Sequence, residues 1–154
     1  MGYSTDFFGS FVLDREATPE LKKILTGLNT TRRMARSVGS EYGVEGEFYF
    51  EGEGYAGQDL DETIIDGNRP PKTQPGLWCQ WMLADDGKTI HWDGGEKFYN
   101  YVEWIEYIIE KILQPRKYRL NGEVEWHGGN YDDMGRIIIK NNKVSVKYGK
   151  VVFR

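Results

Sequence analysis

Arg32, Arg33 and Arg36 place three guanidinium groups within five residues, and no carboxylate accompanies them before Glu41. A guanidinium is a rigid fork of donors that meets a phosphate or carboxylate with two parallel bonds. Arg69 and Lys72, held by Pro70 and Pro71, form a second cationic group. Trp78, Gln80 and His91 add a ring, an amide that both donates and accepts, and an imidazole, which is the equipment for stacking on a nucleobase and reading its edge. Stacking contributes about 1–3 kcal/mol per base, so rings and cations together suit a small nucleotide without any bond being broken. Each element also has a plainer use. The arginines equally suit neutralising the end of the preceding helix and the acidic segment 41–66, and a single Trp in a strand suits a second core layer.

Other chemistry is poorly served. The only histidines are His91 and His127, and no paired-Cys motif, His-Glu-x-x-His helix, phosphate-binding P-loop or Gly-x-Ser-x-Gly elbow occurs. Neither a metal nor a cofactor is expected on these patterns, and no catalytic residue is assigned. Asp93 and Glu96 beside His91 could be drawn as base and acid, yet a helix-capping box accounts for both. Gly94-Gly95 could offer backbone N–H groups to an anion, but the same two carboxyls repel one there. On the terminal hairpin Arg136, Lys140, Lys143 and Lys147 share a face that could hold phosphates; Glu123 and Glu125 on the preceding strand favour a salt-bridged outer face instead.

The elements that must position these groups can be read from periodicity. Tyr3 to Leu13 alternates as a strand, with Phe7, Phe11 and Leu13 on one face and Phe8, Ser10 and Val12 on the other. Thr18 caps a helix that begins at Pro19, carries Leu21, Ile24, Leu25 and Leu28 as its apolar stripe and ends near Asn29-Thr30-Thr31. Arg32 to Arg36 continues it or forms a loop. Val44 to Phe50 reads as a second strand and Gly52 to Gln74 as a long ordered loop. Leu77 to Trp92 reads as a hairpin about Asp86-Gly87, a type I′ dipeptide, and this register pairs Leu83 with Ile90 and Trp81 with Trp92. Glu96 to Leu113 has four turns of helical spacing stopped by Pro115, with Trp104 and Tyr107 on an acidic flank that suits either a subunit contact or a core layer. Arg119 to His127, Arg136 to Lys140 and Lys143 to Phe153 complete the chain as strands. The order strand-helix-strand-strand-strand-helix-strand-strand-strand predicts an α+β fold, a mainly antiparallel sheet of about six strands with two helices.

Composition bounds the rest. The 154 residues, 39% hydrophobic and 29% charged, suit one domain over 1–154 with a single core. Five Trp and ten Tyr are a large stock of flat surface for interfaces or stacking. No long apolar run and no leader-like N-terminus argue against a membrane span or secretion. The lone Cys79 suits a reducing compartment and a buried thiol. A net charge of −4 disfavours duplex nucleic acid, yet 41–66 lacks Lys and Arg while 135–154 lacks Asp and Glu. That asymmetry suits self-complementary assembly or a local anion site.

Several stretches also carry a resemblance: Gly2-Tyr3-Ser4-Thr5-Asp6-Phe7, Thr30-Thr31-Arg32-Arg33-Met34, Pro70 to Trp81, Trp92 to Tyr101, and Asn121-Gly122-Glu123-Val124-Glu125-Trp126. Over nearly the whole chain it resembles a family of small tailed-bacteriophage proteins, and that family looks like the anti-CBASS sponges that sequester cyclic dinucleotides. The resemblance implies a homo-oligomer, a tetramer or dimer, in the cytoplasm of the infected host cell. It would bind 3′3′-cGAMP-like signals intact; its binding residues do not transfer position by position. The expected ligand set, Arg32, Arg33, Arg36, Arg69, Lys72, Trp78, Gln80 and His91, and the expected oligomer contact, Trp104 and Tyr107, therefore come from the side chains alone. A hydrolase acting on a nucleotide and a protein-binding inhibitor of a host factor are the competing classes.

Overall fold

Alternation in the first strand is realised as β1, Thr5–Leu13, whose Phe7, Phe11 and Leu13 are buried while Phe8 and Val12 are exposed. The computed structural model describes residues 3–50 and 62–153. α1, Pro19–Thr30, begins where Thr18 accepts a hydrogen bond from the Leu21 N–H, and it buries Leu21, Leu25 and Leu28. β4, Trp81–Leu83, and β5, Thr89–Trp92, pair Trp81 with Trp92 and Leu83 with Ile90, as the register predicts. The turn between them is wider than a two-residue type I′. Ala84 pairs with Thr89, the Gly87 N–H bonds the Ala84 carbonyl, and only Gly87 takes a positive φ, so a longer loop forms with the Asp86 carboxylate tying it at Lys88 and Thr89.

β6, Leu120–Gly128, β7, Met134–Lys140, and β8, Lys143–Tyr148, follow as a meander, the last two joined through left-handed Asn141 and Asn142. The sheet order is β4-β5-β1-β6-β7-β8 with every neighbouring pair antiparallel, which is the expected α+β architecture. The final strand ends at Tyr148 and does not run on to Phe153. Inward residues of the sheet share one core with those of both helices, so the helices cover one face, and among the described residues no helix covers the other. Among the described residues no helix is long and apolar enough to cross a membrane.

Two expectations fail for a common reason: side chains have taken the carbonyls that regular structure needs. Val44 to Phe50 is not a strand but a pair of tight turns with left-handed Gly43, Glu45 and Gly46. The second helix, α2, starts at Tyr101 and not at Glu96. Trp92 Nε1 bonds the Gly95 carbonyl and Gln80 Nε2 the Glu96 carbonyl, while Asp93 accepts from the Gly95 N–H in a local turn in place of a capping box. Lys97 and Asn100 are left-handed, so a continuous helix cannot pass through them. α2 runs to Tyr107, widens into a π-helical turn over Ile108–Leu113 and tightens over Gln114–Arg116 at Pro115. The short strands β2, Ala35–Arg36, and β3, Ile64–Asp66, pair where loop was expected; residues 51–61, the first part of the expected loop Gly52 to Gln74, lie outside the described residues.

β1 and β6 press closely together at Gly122, where φ is 139° and an added Cβ would meet the Ser10 carbonyl oxygen at 2.5 Å and the Phe11 Cα at 2.9 Å. Gly122→Ala is expected to lower the unfolding free energy by about 1–3 kcal/mol, read as a fall in Tm. An unchanged Tm would show that the two strands can part there without loss.

Candidate functional site

Arg33 does bring its surroundings together, but inwards. Its residue is 2% exposed, and its backbone N–H bonds the Leu77 carbonyl at 2.7 Å. The guanidinium Nε donates to Gln74 Oε1 at 3.3 Å, Nη1 to Thr31 Oγ1 and the Tyr49 carbonyl, and Nη2 to the carbonyls of Gly46 and Glu47 at 3.1 and 3.0 Å. All five donors are used, so nothing remains for a ligand, and the expected binding role of Arg33 is corrected to a structural one. Burial pulls its pKa down to about 10, with the neighbouring Arg36 acting in the same direction.

The other expected cations are largely committed too. Arg36 is 5% exposed, donates to Thr63 Oγ1 at 2.8 Å and lies 4.7 Å over the Tyr49 ring, which removes it from any solvent-facing site. Arg32 donates through Nε and Nη2 to the Gly67 carbonyl. Arg69 makes a two-bond pair with Glu45, at 3.0 and 2.9 Å, and Glu45 also accepts from the Lys72 N–H at 2.8 Å. The Arg69 guanidinium, then that N–H, hold the Glu45 carboxyl down to about 2. Lys72 is exposed on the rim of a groove with Glu106 and Glu110, and the Arg69 side chain keeps 41% of its surface open.

The aromatic and amide set lies alongside on residues 78–80 and β5. Trp78 and His91 are partly exposed, and His91 Nδ1 bonds the Trp92 carbonyl at 2.7 Å. The Gln80 amide donates to the Glu96 carbonyl and accepts from Trp92 Nε1, so both of its ends are already engaged within the chain. Cys79 is buried beside them, its thiol pushed up to about 12 by desolvation. The expected oligomer contact is corrected outright: Trp104 and Tyr107 are 0% and 5% exposed. Tyr107 donates its hydroxyl hydrogen to Glu47 Oε1 at 2.8 Å and accepts from Gln74 Nε2 at 3.1 Å, so the acidic flank of α2 is a second core layer under residues 74–76.

The uncovered face of the sheet is where side chains remain available. Register places Phe8, Glu125, Arg136 and Lys147 in one row across β1, β6, β7 and β8. Strands ~4.8 Å apart make that row roughly 14 Å long. Phe8 is 57% exposed, and its ring meets that of His127 edge-on at 5.7 Å. Glu125 bonds His127 Nε2 at 2.7 Å and Arg136 Nε at 3.3 Å, and these two partners hold its carboxyl below the usual range. This is the salt-bridged outer face that alternation predicts, but only in part. Lys140, Lys143 and Lys147 make no ion pair with another described residue. A pocket of about 280 Å³ opens between Glu125, His127, Met134, Arg136, Lys147 and Tyr148. Alternation puts Phe8 on this side but gives no sign that, among the described residues, no layer covers it.

Arg33→Ala should cost about 3–5 kcal/mol of stability, and Arg33→Lys should not restore it, because an ammonium cannot span the same carbonyls. Denaturant titration measures both; a small loss in either would mean that water replaces the guanidinium. Glu45 supplies a pH test. Its folded pKa lies below the unfolded value, so its contribution is present above the ordinary carboxylate range and is lost as pH falls through about 2. The Tm difference between Arg69→Ala and the parent should therefore shrink steadily as pH is lowered toward 2.

Comparison with protein-family models, with curated proteins and with solved structures finds no match to this chain.

Proposed function

We propose that the protein binds a compact nucleotide on the uncovered face of its sheet and holds it intact. The observation that carries this reading is the row Phe8–Glu125–Arg136–Lys147, a ring at one end and cations at the other on a rigid surface. Rings supply stacking that any base accepts, and exposed lysines supply charge to phosphate. Across β1 and β6 to β8 four cations, Arg136, Lys140, Lys143 and Lys147, face three carboxylates, Asp6, Glu123 and Glu125, so this face carries a positive excess on an acidic chain. A locally positive patch with a net negative body favours a small anion over a polymer.

The resemblance to anti-CBASS sponges supplies the ligand class. In that reading the chain is a phage anti-defence protein in the cytoplasm of the infected host cell, and its ligand is a cyclic dinucleotide such as 3′3′-cGAMP. Such a ligand has two bases and two phosphates, and a two-fold pair of subunits would repeat one ring and one cation set to meet them. The site moves from the arginine cluster to the sheet because Arg33 is saturated and Arg32, Arg36 and Arg69 are engaged by the chain's own acceptors.

Calorimetric titration with 3′3′-cGAMP, followed by heating and analysis of the released ligand, tests the proposal. Saturable binding and intact recovery are expected, with affinity falling as salt rises. Lys147→Glu and Phe8→Ala should each weaken binding about tenfold or more at nearly unchanged Tm, as both residues are exposed. Breakdown of the ligand would make the protein a hydrolase. No saturable binding, or full binding by Lys147→Glu, would end the reading.

A further inference from the structure

The two edges of the main sheet differ. β4 has only three residues and lies against α1, whereas β8 is a full six-residue strand with no element beyond it among the described residues. The Gly149 N–H bonds the Met134 carbonyl, its partner when the β7–β8 register is continued, and antiparallel pairs alternate between bonded and unbonded. Lys143, Ser145 and Lys147 therefore turn their backbone groups toward β7, and Val144, Val146 and Tyr148 turn theirs outward. Three N–H and three C=O groups form an open row, which is a template for another strand. No proline or bulge interrupts it.

The side chains of this edge also stop short of full cover. Val144 and Val146 pack against the core yet are only partly buried, and Tyr148 on the same side is 80% exposed. The chain then runs on into Val151, Val152 and Phe153, all exposed. Exposed apolar side chains beside unpaired strand backbone mark a contact with another chain.

We infer that β8 pairs antiparallel with β8 of a second copy about a two-fold axis at Val146, joining two sheets into one. The two registers nearest the middle of the strand both keep the outward groups bonded. An axis at Ser145 sets Lys143 directly opposite Lys147 of the partner subunit, and by symmetry does so twice, which like charges oppose. An axis at Val146 instead sets Lys147 opposite Ser145 of the partner subunit, Lys143 opposite Gly149 of the partner subunit, and Tyr148 opposite Val144 of the partner subunit, so each bulky residue meets a smaller one. The two Lys147 then lie on a diagonal, roughly 7–8 Å apart, and are screened at ordinary salt. This fit of the strand to its own reverse makes a second copy the occupant, and the lysines exclude the competing register.

Sedimentation equilibrium and amide hydrogen exchange test the pairing from about 10 µM to about 1 mM, where small interfaces associate. Both are run without nucleotide, because the pairing does not rest on the nucleotide reading. Average mass should climb from one chain toward two. Over the same range the Val146 and Tyr148 amides should become slower to exchange, while those of Ser145 and Lys147, bonded within the subunit, stay slow throughout. Ser145→Glu should tighten association about two- to tenfold by setting a carboxylate opposite each Lys147, and Ser145→Lys should weaken it by a similar factor. Ser145 is exposed, so neither change is expected to unfold the subunit. A chain that stays single at the highest concentration, a dimer whose Val146 amide exchanges freely, or weaker association by Ser145→Glu would overturn the assignment.

Discussion

The Arg33 guanidinium is the interaction on which the irregular half of the molecule depends. Its five donors reach the end of α1, the turns at Gly46 to Tyr49 and the amide of Gln74, none of which is joined to the next by a long β-ladder. Glu47 continues the network through its carboxylate, which accepts from the Val44 N–H, Thr73 Oγ1 and Tyr107. A buried charge is costly unless every donor is met, and an isolated guanidinium would lose several kcal/mol of hydration here. Because it is met mainly by backbone carbonyls, the demand fixes backbone conformation over three segments at once. Tyr107 is therefore tied to the same network that sets the turns, and its ring cannot serve as outer surface.

Strand pairing in the main sheet was legible because two independent signals agree there. Phe7, Phe11 and Leu13 alternate with Phe8 and Val12, and the hairpin at Asp86-Gly87 fixes which residues of β4 and β5 meet. The turn type was misjudged without loss of register, since both turn lengths keep Leu83 opposite Ile90. Val44 to Phe50 shows the opposite case. Its polarity alternates, but a strand sends successive carbonyls to opposite sides, and Arg33 requires those of Gly46, Glu47 and Tyr49 on one side. A demand set by a residue more than ten positions away leaves no local mark.

Charge was the least legible feature. In a sequence, Arg33 and Lys147 are both cations near aromatic residues; folding puts one at the centre of a carbonyl cage and the other in solvent. Clustering of the arginines marked a real convergence, because Arg32, Arg33, Arg36 and Arg69 do surround the same irregular region. Their partners are Gly67, Gly46, Thr63 and Glu45, all from the chain itself. Arginine suits this role better than lysine because its fork reaches several acceptors without being fully neutralised by one. Lys140, Lys143 and Lys147, which make no ion pair with another described residue, are the groups able to exchange partners.

That division has a consequence for what the two faces of the sheet can do. The covered face derives its rigidity from an aromatic layer in which Phe7 touches Trp81, Trp92, Phe98 and Tyr101 at 5.0 to 5.6 Å. The bare face inherits that rigidity through β1 and β6, whose backbones are locked together over nine residue pairs. The backbone positions of Phe8 and Arg136 are thus held at a fixed separation while their side chains stay exposed. At the β8 margin the same backbone sends Lys147 outward and Tyr148 toward Trp126, so cation and ring are sorted to opposite sides by the period of the strand alone. On β8 the cations Lys143 and Lys147 therefore share one side, and Val144, Val146 and Tyr148 the other.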